Sequence, residues 1–474
     1  MSWQKKPNLL FYKNQQQIKK YMKNLLVWLL FLFPLMGQDA TAQWNDLFNG
    51  KDLKGWKTLN GEAPFTVEDG MIVGKSVANT PNTFLCTEKD YTNFVLEYEM
   101  KMDEGLNSGV QIRSKSHKSY RNGRVHGSQV EAEDTKRGWS GGIYDEARKG
   151  WRYPLDYNPT AKEAFKKEEW NSFKVVAFNN HIMTWVNGIP AANLVEEETE
   201  TGFIGLQVHG IGNNTSLAGK NIRWKNIRIR EITADDFDAY KGMKAPEVSY
   251  LSNQLTEQEK YQGWKLLWDG ETTNGWRGVK LDHFPEKGWN VSDGTLEILA
   301  TPDGEKRAGD IVTERKYKDF ILEIDFSITK GANSGIKYFT DTHSSIGCEY
   351  QILCDEHHPD AKEGVMGNRT MASLYDIIAP NGLEYNPYLP REKYVNGYDQ
   401  WNRARIVVKG KNVQHYLNGL KMLEYERDTH IWRTLVAFSK YKGMPNFGES
   451  EDGHILLQDH FDNVEFRNIK IKEL

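Results

Sequence analysis

The chain repeats itself, and that repetition constrains its fold more than any other feature. Trp44 to Trp56 reads WNDLFNGKDLKGW, and Trp264 to Trp276 reads WKLLWDGETTNGW. NFVLEYEMKMDEGLNSGVQIR, from Asn93, matches DFILEIDFSITKGANSGIKYF, from Asp319. EEWNSFKVVAFNNHIMTWVNG, from Glu168, matches DQWNRARIVVKGKNVQHYLNG, from Asp399. NIRIREI, from Asn226, matches NIKIKEL, from Asn468. The matches keep one order, which is the mark of a tandem duplication. Each copy must therefore close a core of its own, and a chain of 474 residues has room for two. The first copy is placed at 43–232, a polar linker at 233–261, and the second copy at 262–474. The linker contains Pro246, and Leu255 to Tyr261 reads as a short helix with Ser252 or Thr256 near its start.

Within each copy the hydrophobic period is two. Phe94, Leu96, Tyr98 and Met100 alternate with Val95, Glu97 and Glu99; Phe173, Val175 and Ala177 alternate with Lys174 and Val176. Turn pairs separate such runs: Asp69-Gly70, Asn179-Asn180, Asn187-Gly188, Asp293-Gly294, Lys409-Gly410 and Asn418-Gly419. Asn-Gly suits tight hairpins because both central residues need positive φ. Short alternating strands between such turns predict an all-β fold of two antiparallel sandwiches.

Lys19, Lys20 and Lys23 precede an apolar run from Leu25 to Met36, followed by Ala40-Thr41-Ala42 before Gln43. This is the layout of a secretory signal peptide over 1–42, with Met22 the more ordinary start. The run is too short to cross a bilayer comfortably, so no membrane insertion is expected after cleavage. The expected location is periplasmic or extracellular. Cys86, Cys348 and Cys354 form no disulfide framework and read as buried free thiols, although Cys348 and Cys354 share a segment that permits pairing. A net charge of −4 with mixed signs argues against a nucleic-acid partner. Nothing in the sequence specifies an oligomeric state.

The opening LFNGKDLKGW, the NSGV and NSGI segments, and the WN…VNG and WN…LNG hairpins recur in a recognisable set. So do the closing GFIGLQVHG…NIRIREI and LLQDHFDNVEFRNIKIKEL. In these the chain resembles the 3-keto-disaccharide hydrolase family, formerly a domain of unknown function, in two tandem copies. The resemblance implies a concanavalin-like jelly roll and action on sugars oxidised at carbon 3. The implied partner is a carbohydrate substrate.

A jelly roll offers one sheet face to a ligand, and residues two apart share that face. Gln129 and Glu131 have this spacing, as do Glu349 and Gln351 in the second copy, with acid and amide in swapped order. An acid beside an amide can serve as base and anchor; the structural alternative is a solvated strand face. Asn107-Ser108 and Asn333-Ser334 read first as a turn or bulge. The strand that follows each offers Gln111 and Arg113, or Lys337, as anchors and as cations for an enolate oxygen. Tyr144 and Tyr375 lie in matched YD pairs, where the resemblance places them beside the sheet, as proton donors, ring platforms or core caps. His209 in LQVHG matches His460 in LQDHF, which is preceded by Asp459. Imidazoles titrate near neutrality and suit proton transfer. His357 and His358, with Asp355 and Asp341, could hold a divalent metal, in a spacing that follows no standard pattern; otherwise no cofactor is indicated.

No pair of carboxylates marks an ordinary glycosidase. A 3-keto sugar opens another route: a base takes the carbon-2 proton, the aglycone leaves carbon 1, and water adds back. The base would be Glu131 or His209 in the first copy and Glu349 or His460 in the second. The acid would be Tyr144 or Tyr375, and the oxyanion donor Arg113 or Lys337. The competing class is a non-catalytic carbohydrate-binding sandwich, with Trp139, Trp151, Tyr153, Tyr157, Tyr385 and Tyr388 as stacking candidates. A deep cleft with converging Glu, His and Tyr would distinguish the enzyme from a shallow aromatic strip.

Overall fold

The alternation read from the sequence becomes strand. In the computed structural model, which describes residues 43–300, 309–341, 344–380 and 393–474, Phe94–Met102 is a nine-residue strand. It buries Phe94, Leu96, Tyr98, Met100 and Met102, while Glu97, Glu99 and Lys101 face outward half-buried. The hairpin chemistry holds as well. Asn187 (φ 49°) and Gly188 (φ 78°) turn one hairpin, and Asn418 (φ 48°) and Gly419 (φ 83°) turn its counterpart, all in the left-handed region. The signal-peptide segment and the stacking candidates Tyr385 and Tyr388 lie outside the described residues.

Among the described residues each copy forms two facing sheets. The first copy pairs a nine-stranded with a seven-stranded sheet, and the second an eight-stranded with a five-stranded sheet. The protein is thus two tandem all-β sandwiches. Trp224, Trp268 and Trp432 are among the largest fully buried side chains. Two sheets matter for function. In the seven-stranded sheet, Asn107–Ser114 pairs with Gly127–Glu133 on one side and with Phe203–Val208 on the other. In the five-stranded sheet, Asn333–Thr340 pairs with Cys348–Leu353 and with His454–Leu457.

The linker is structured. Glu247–Ser249 adds to the nine-stranded sheet as a parallel strand beside Ile189–Val195. The helix Glu257–Tyr261 is shorter than expected and starts from Thr256, whose hydroxyl caps Glu259 N in a capping box. Tyr250 follows the parallel strand and lies between two guanidinium groups, Arg152 of the first sandwich (3.5 Å to the ring centroid) and Arg403 of the second (3.9 Å). Arg403 also donates to the Ser249 carbonyl (2.7 Å) and grips Asp325 (2.6 and 3.0 Å). Nearby, Lys470 Nζ bridges Glu259 (2.5 Å) of the linker helix and Glu323 (3.2 Å). These contacts lie within one compact unit, Asn45–Leu474. Cys86, Cys348 and Cys354 are free buried thiols, and burial pushes the Cys348 thiol up to about 12. Among the described residues no helix is long and apolar enough to cross a membrane.

Candidate active site

The NSG segments are not turns. Asn107 and Asn333 begin strands, and the glycine of each sits opposite a residue of the neighbouring strand: Gly109 faces Glu131, and Gly335 faces Gln351. The next rung pairs Gln111 with Gln129 and Lys337 with Glu349. Glu131 and Gln351 therefore occupy one structural position, and Gln129 and Glu349 another. The swapped order seen in the sequence moves the carboxylate by one rung, about 7 Å along the strand. The glycines give these side chains room. A Cβ on Gly109 would stand 2.6 Å from the Gln129 side chain, and one on Gly335 would stand 2.6 Å from Glu349 Oε1.

In the first sandwich Gln129, Glu131, Asn107, Tyr144 and His209 line one cleft of about 370 Å³. Asn107 Nδ2 donates to Glu131 Oε1 (2.5 Å) and Gln129 Nε2 to Glu131 Oε2 (3.1 Å). Burial and the nearby charge of Glu133 push the Glu131 carboxyl up to about 8, against the pull of those two amides. Tyr144 stands across from Gln129 on the strand Ile143–Glu146, with its ring 5.3 Å from that of Trp151. Burial raises its phenol above the ordinary range. His209 stands at the rim; its surface stays accessible, yet the cleft walls strip enough water to lower its imidazole.

Three expectations from the sequence need correction here. Arg113 does not reach the cleft. At φ 48° it sits in a bulge, and its guanidinium turns away to Thr92 O (2.6 Å), Asn179 O (2.6 Å) and Asn93 Oδ1 (3.2 Å). The cations lining the cleft are Arg124 and Arg137. Gln111 lies behind it, donating to Gln129 (2.7 Å) and accepting from Ser114 (2.6 Å). Trp151 lines the cleft, but Tyr153 is buried with its hydroxyl on Pro246 O (2.7 Å), and Tyr157 packs against the core. Trp139 lies beside the cleft, 4.6 Å from Trp151, with Arg137 stacked over it at 4.2 Å.

Sequence reasoning missed Gln207. It is fully buried and lines the cleft, and neither its amide oxygen nor its nitrogen has a hydrogen-bond partner among the described residues. A buried amide that lines a cleft is a candidate anchor for a polar ligand group. It precedes His209 by two, as Gln458 precedes His460, and that recurrence was the available signal. Tyr394 was also missed. It belongs to the second copy yet lines the first copy's cleft, where Arg137 donates to its hydroxyl (2.9 Å). No repeat marks it.

The second sandwich builds a more highly charged site. Lys337 Nζ lies 3.5 Å from Glu349 Oε2, and Gln458 sits between them. Oriented by its neighbours, the Gln458 amide donates to Glu349 Oε1 (3.3 Å) and accepts from Lys337 Nζ (3.2 Å). Gln351 Nε2 donates to Asn333 Oδ1 (3.1 Å). Tyr375 donates to Asp360 (2.7 Å), and burial together with that carboxylate raises its phenol. Arg369 joins Asp360 (2.8 Å) to Asp376 (2.6 Å), and Lys440 Nζ lies 3.8 Å over the Tyr375 ring. Burial lowers the Lys440 ammonium. Asp459 is spent on the backbone instead, accepting from Gly309 N (2.9 Å) and Phe461 N (3.0 Å).

The metal set expected from sequence does not assemble. His357 turns to Tyr398 (2.9 Å), Asp355 takes Met371 N (2.6 Å) and the Lys393 ammonium (2.5 Å), and Asp341 accepts from Ser344 N (2.8 Å). His358 instead meets His460 and Asp462, with one donor atom from each within 4.8 Å of the others. A larger groove, about 760 Å³, crosses the outer face of the nine-stranded sheet. There Glu97 is paired with Arg228 (2.6 Å) and Lys174 (3.1 Å), and the groove holds none of the candidate site residues.

Comparison with known proteins agrees with the repeat. A family model described as a 3-keto-alpha-glucoside-1,2-lyase-like domain matches residues 43–230 and again 263–472. A 3-keto-disaccharide hydrolase of Bacteroides thetaiotaomicron is 34% identical over 261 residues, which is 49% of this chain and 85% of the relative. A crystal structure from Parabacteroides distasonis, provisionally assigned as a glycosyl hydrolase, is 29% identical. It covers 47% of this chain and 99% of its own, with a TM-score of 0.41.

Proposed function

The chain belongs to the 3-keto-alpha-glucoside-1,2-lyase-like domain family in two tandem copies, and on that premise we propose that it is a secreted enzyme that cleaves the glycosidic bond of 3-keto glycosides. The family and the Bacteroides relative support a glycoside-cleaving activity. The observation that supports the finer reading is one cleft lined by Glu131, Tyr144 and His209 together with the Gln207 amide, which has no hydrogen-bond partner among the described residues.

The chemistry follows from the carbonyl. A ketone at carbon 3 acidifies the proton on carbon 2. Glu131 in the cleft of the first sandwich, or Glu349 in the second sandwich, takes that proton. The electron pair moves into an enolate, whose oxygen is met by a cation: Arg124 or Arg137 in the first sandwich, Lys337 in the second. Collapse of the enolate breaks the bond from carbon 1 to the aglycone oxygen, which takes a proton from Tyr144 or Tyr375. Water then adds across the resulting enone, and the sum is hydrolysis. A carboxyl pushed to about 8 suits this base role, because a base is most effective with its pKa near the working pH.

The test incubates the chain from Gln43 with a 3-keto-β-glucoside and with its unoxidised parent, followed by proton NMR in deuterated water. The expected outcome is release of the aglycone from the keto sugar alone, with deuterium entering carbon 2. Turnover of the parent would mean ordinary hydrolysis and overturn the elimination route. Saturable line broadening without turnover would favour the carbohydrate-binding class.

A further inference from the structure

We propose that His358, His460 and Asp462 form a binding site for one divalent transition metal, present in the second sandwich and absent from the first. The three residues come from two loops: His358 from the one after the strand Cys348–Leu353, and His460 and Asp462 from the one after His454–Leu457. Their donor atoms lie within 4.8 Å of one another, and all three side chains are half-buried. Metal–ligand bonds near 2.1 Å set neighbouring donors roughly 3 to 3.5 Å apart, so small side-chain rotations close the site. Two imidazoles and one carboxylate favour zinc, iron, cobalt or manganese over magnesium or calcium, which prefer oxygen throughout.

The surroundings fit a metal site. Asp462 Oδ2 accepts from Asn333 N (2.9 Å), which fixes the carboxylate from behind. Asn333 Nδ2 lies 3.5 Å from His358 Nε2, and its Oδ1 accepts from Gln351. The triad therefore adjoins the same sheet face as Glu349. Two buried acceptors on that face, Glu349 Oε2 and Gln351 Oε1, have no hydrogen-bond donor among the described residues. His358 Nδ1 accepts a 3.2 Å hydrogen bond from Asp360 N. Ligation through Nε2 moves the ring proton to Nδ1 and opens that contact, which gives the proposal a spectroscopic signature.

The first copy serves as an internal control. His209 matches His460, but Ile211 stands where the second copy has Asp462. Between Glu133 and Tyr144 there is no histidine to match His358. Resting on the reading above, the metal would polarise the carbon-3 carbonyl of the keto sugar and share with Lys337 the charge on the enolate oxygen. His460 is then a ligand, and Glu349 remains the base.

The experiment dialyses the full chain against chelator and titrates it with Co²⁺ and Zn²⁺. Binding is followed by calorimetry, by the visible bands of Co²⁺ and by ¹⁵N shifts of the histidines. One equivalent per chain is expected, with His358 changing tautomer. His460→Ala and Asp462→Ala should each weaken binding at least 100-fold, while His209→Ala leaves the stoichiometry unchanged. Circular dichroism confirms that each variant folds. Binding no tighter than millimolar, or equal binding by His460→Ala and Asp462→Ala, overturns the site. Turnover of the keto sugar that is indifferent to chelator overturns the metal's role and leaves the proposed function standing. One tight equivalent of metal without turnover of any keto sugar supports the site and counts against that function.

Discussion

Lys337 Nζ stands 3.5 Å from Glu349 Oε2, and both side chains are less than a tenth exposed. On the same rung of the first sandwich, Gln111 donates to Gln129, two neutral amides. Duplication has thus produced one site whose acid is charge-paired and one whose acid, a rung away, is held by two amides.

Glu349→Gln is expected to lower turnover by the second sandwich about 10²- to 10⁴-fold, the range for removing a general base. It also leaves the Lys337 ammonium buried without its counter-charge, at a stability cost on the order of 3 kcal/mol. Aglycone release and urea unfolding measure the two effects. Adding Lys337→Met should restore much of the stability and none of the rate.

The raised Glu131 carboxyl has a signed consequence for stability. Between its ordinary value of 4.5 and about 8, the unfolded chain loses this proton and the folded chain keeps it. Stability contributed here is therefore greatest in acid, falls as pH rises through that window, and levels off above it. Glu131→Gln should flatten the dependence of Tm on pH from 5 to 8. In a Glu349→Gln background, kcat/KM should climb with pH towards about 8 if Glu131 is the base.

Gly335→Ala places a methyl group 2.6 Å from Glu349 Oε1, the mobile end of a side chain. The fold can absorb this for about 1 kcal/mol. The carboxylate cannot keep its position, so kcat should fall at least tenfold with little change in Tm.

Gln207→Leu removes two buried polar atoms that have no protein partner among the described residues. The variant should be more stable by about 1 kcal/mol, because an unsatisfied amide is costly to bury. Its KM for the keto sugar should rise roughly tenfold, because a polar group built for the ligand is gone. Thermal melts and initial rates report the two effects.

Much of this architecture was legible in the sequence, and the reasons are local. Period-two runs such as Phe94 to Met102 and the Asn187-Gly188 and Asn418-Gly419 turns act over a few residues, so they could be read directly. The shared face of Gln129 and Glu131 follows from strand geometry alone. Arg113 was misplaced because a bulge reverses the side-chain alternation, and a bulge has no sequence period. The grouping of Asp355, His357 and His358 fails for a related reason: they are neighbours in the chain, but the loop brings only His358 close to His460 and Asp462. Tyr394 lines the first cleft and Lys440 covers the Tyr375 ring from unrepeated segments, where self-comparison has nothing to align.

Tyr250 lies between Arg152 and Arg403, one guanidinium from each sandwich. A linker that served only as a tether would place no residue there. With this ring in place the duplicated halves are riveted together, so neither copy is free to drift as an independent gene product would. A substitution at Arg152 or Arg403 touches the ring that both halves share, and the divergence of the two sites has proceeded inside a single shared chassis.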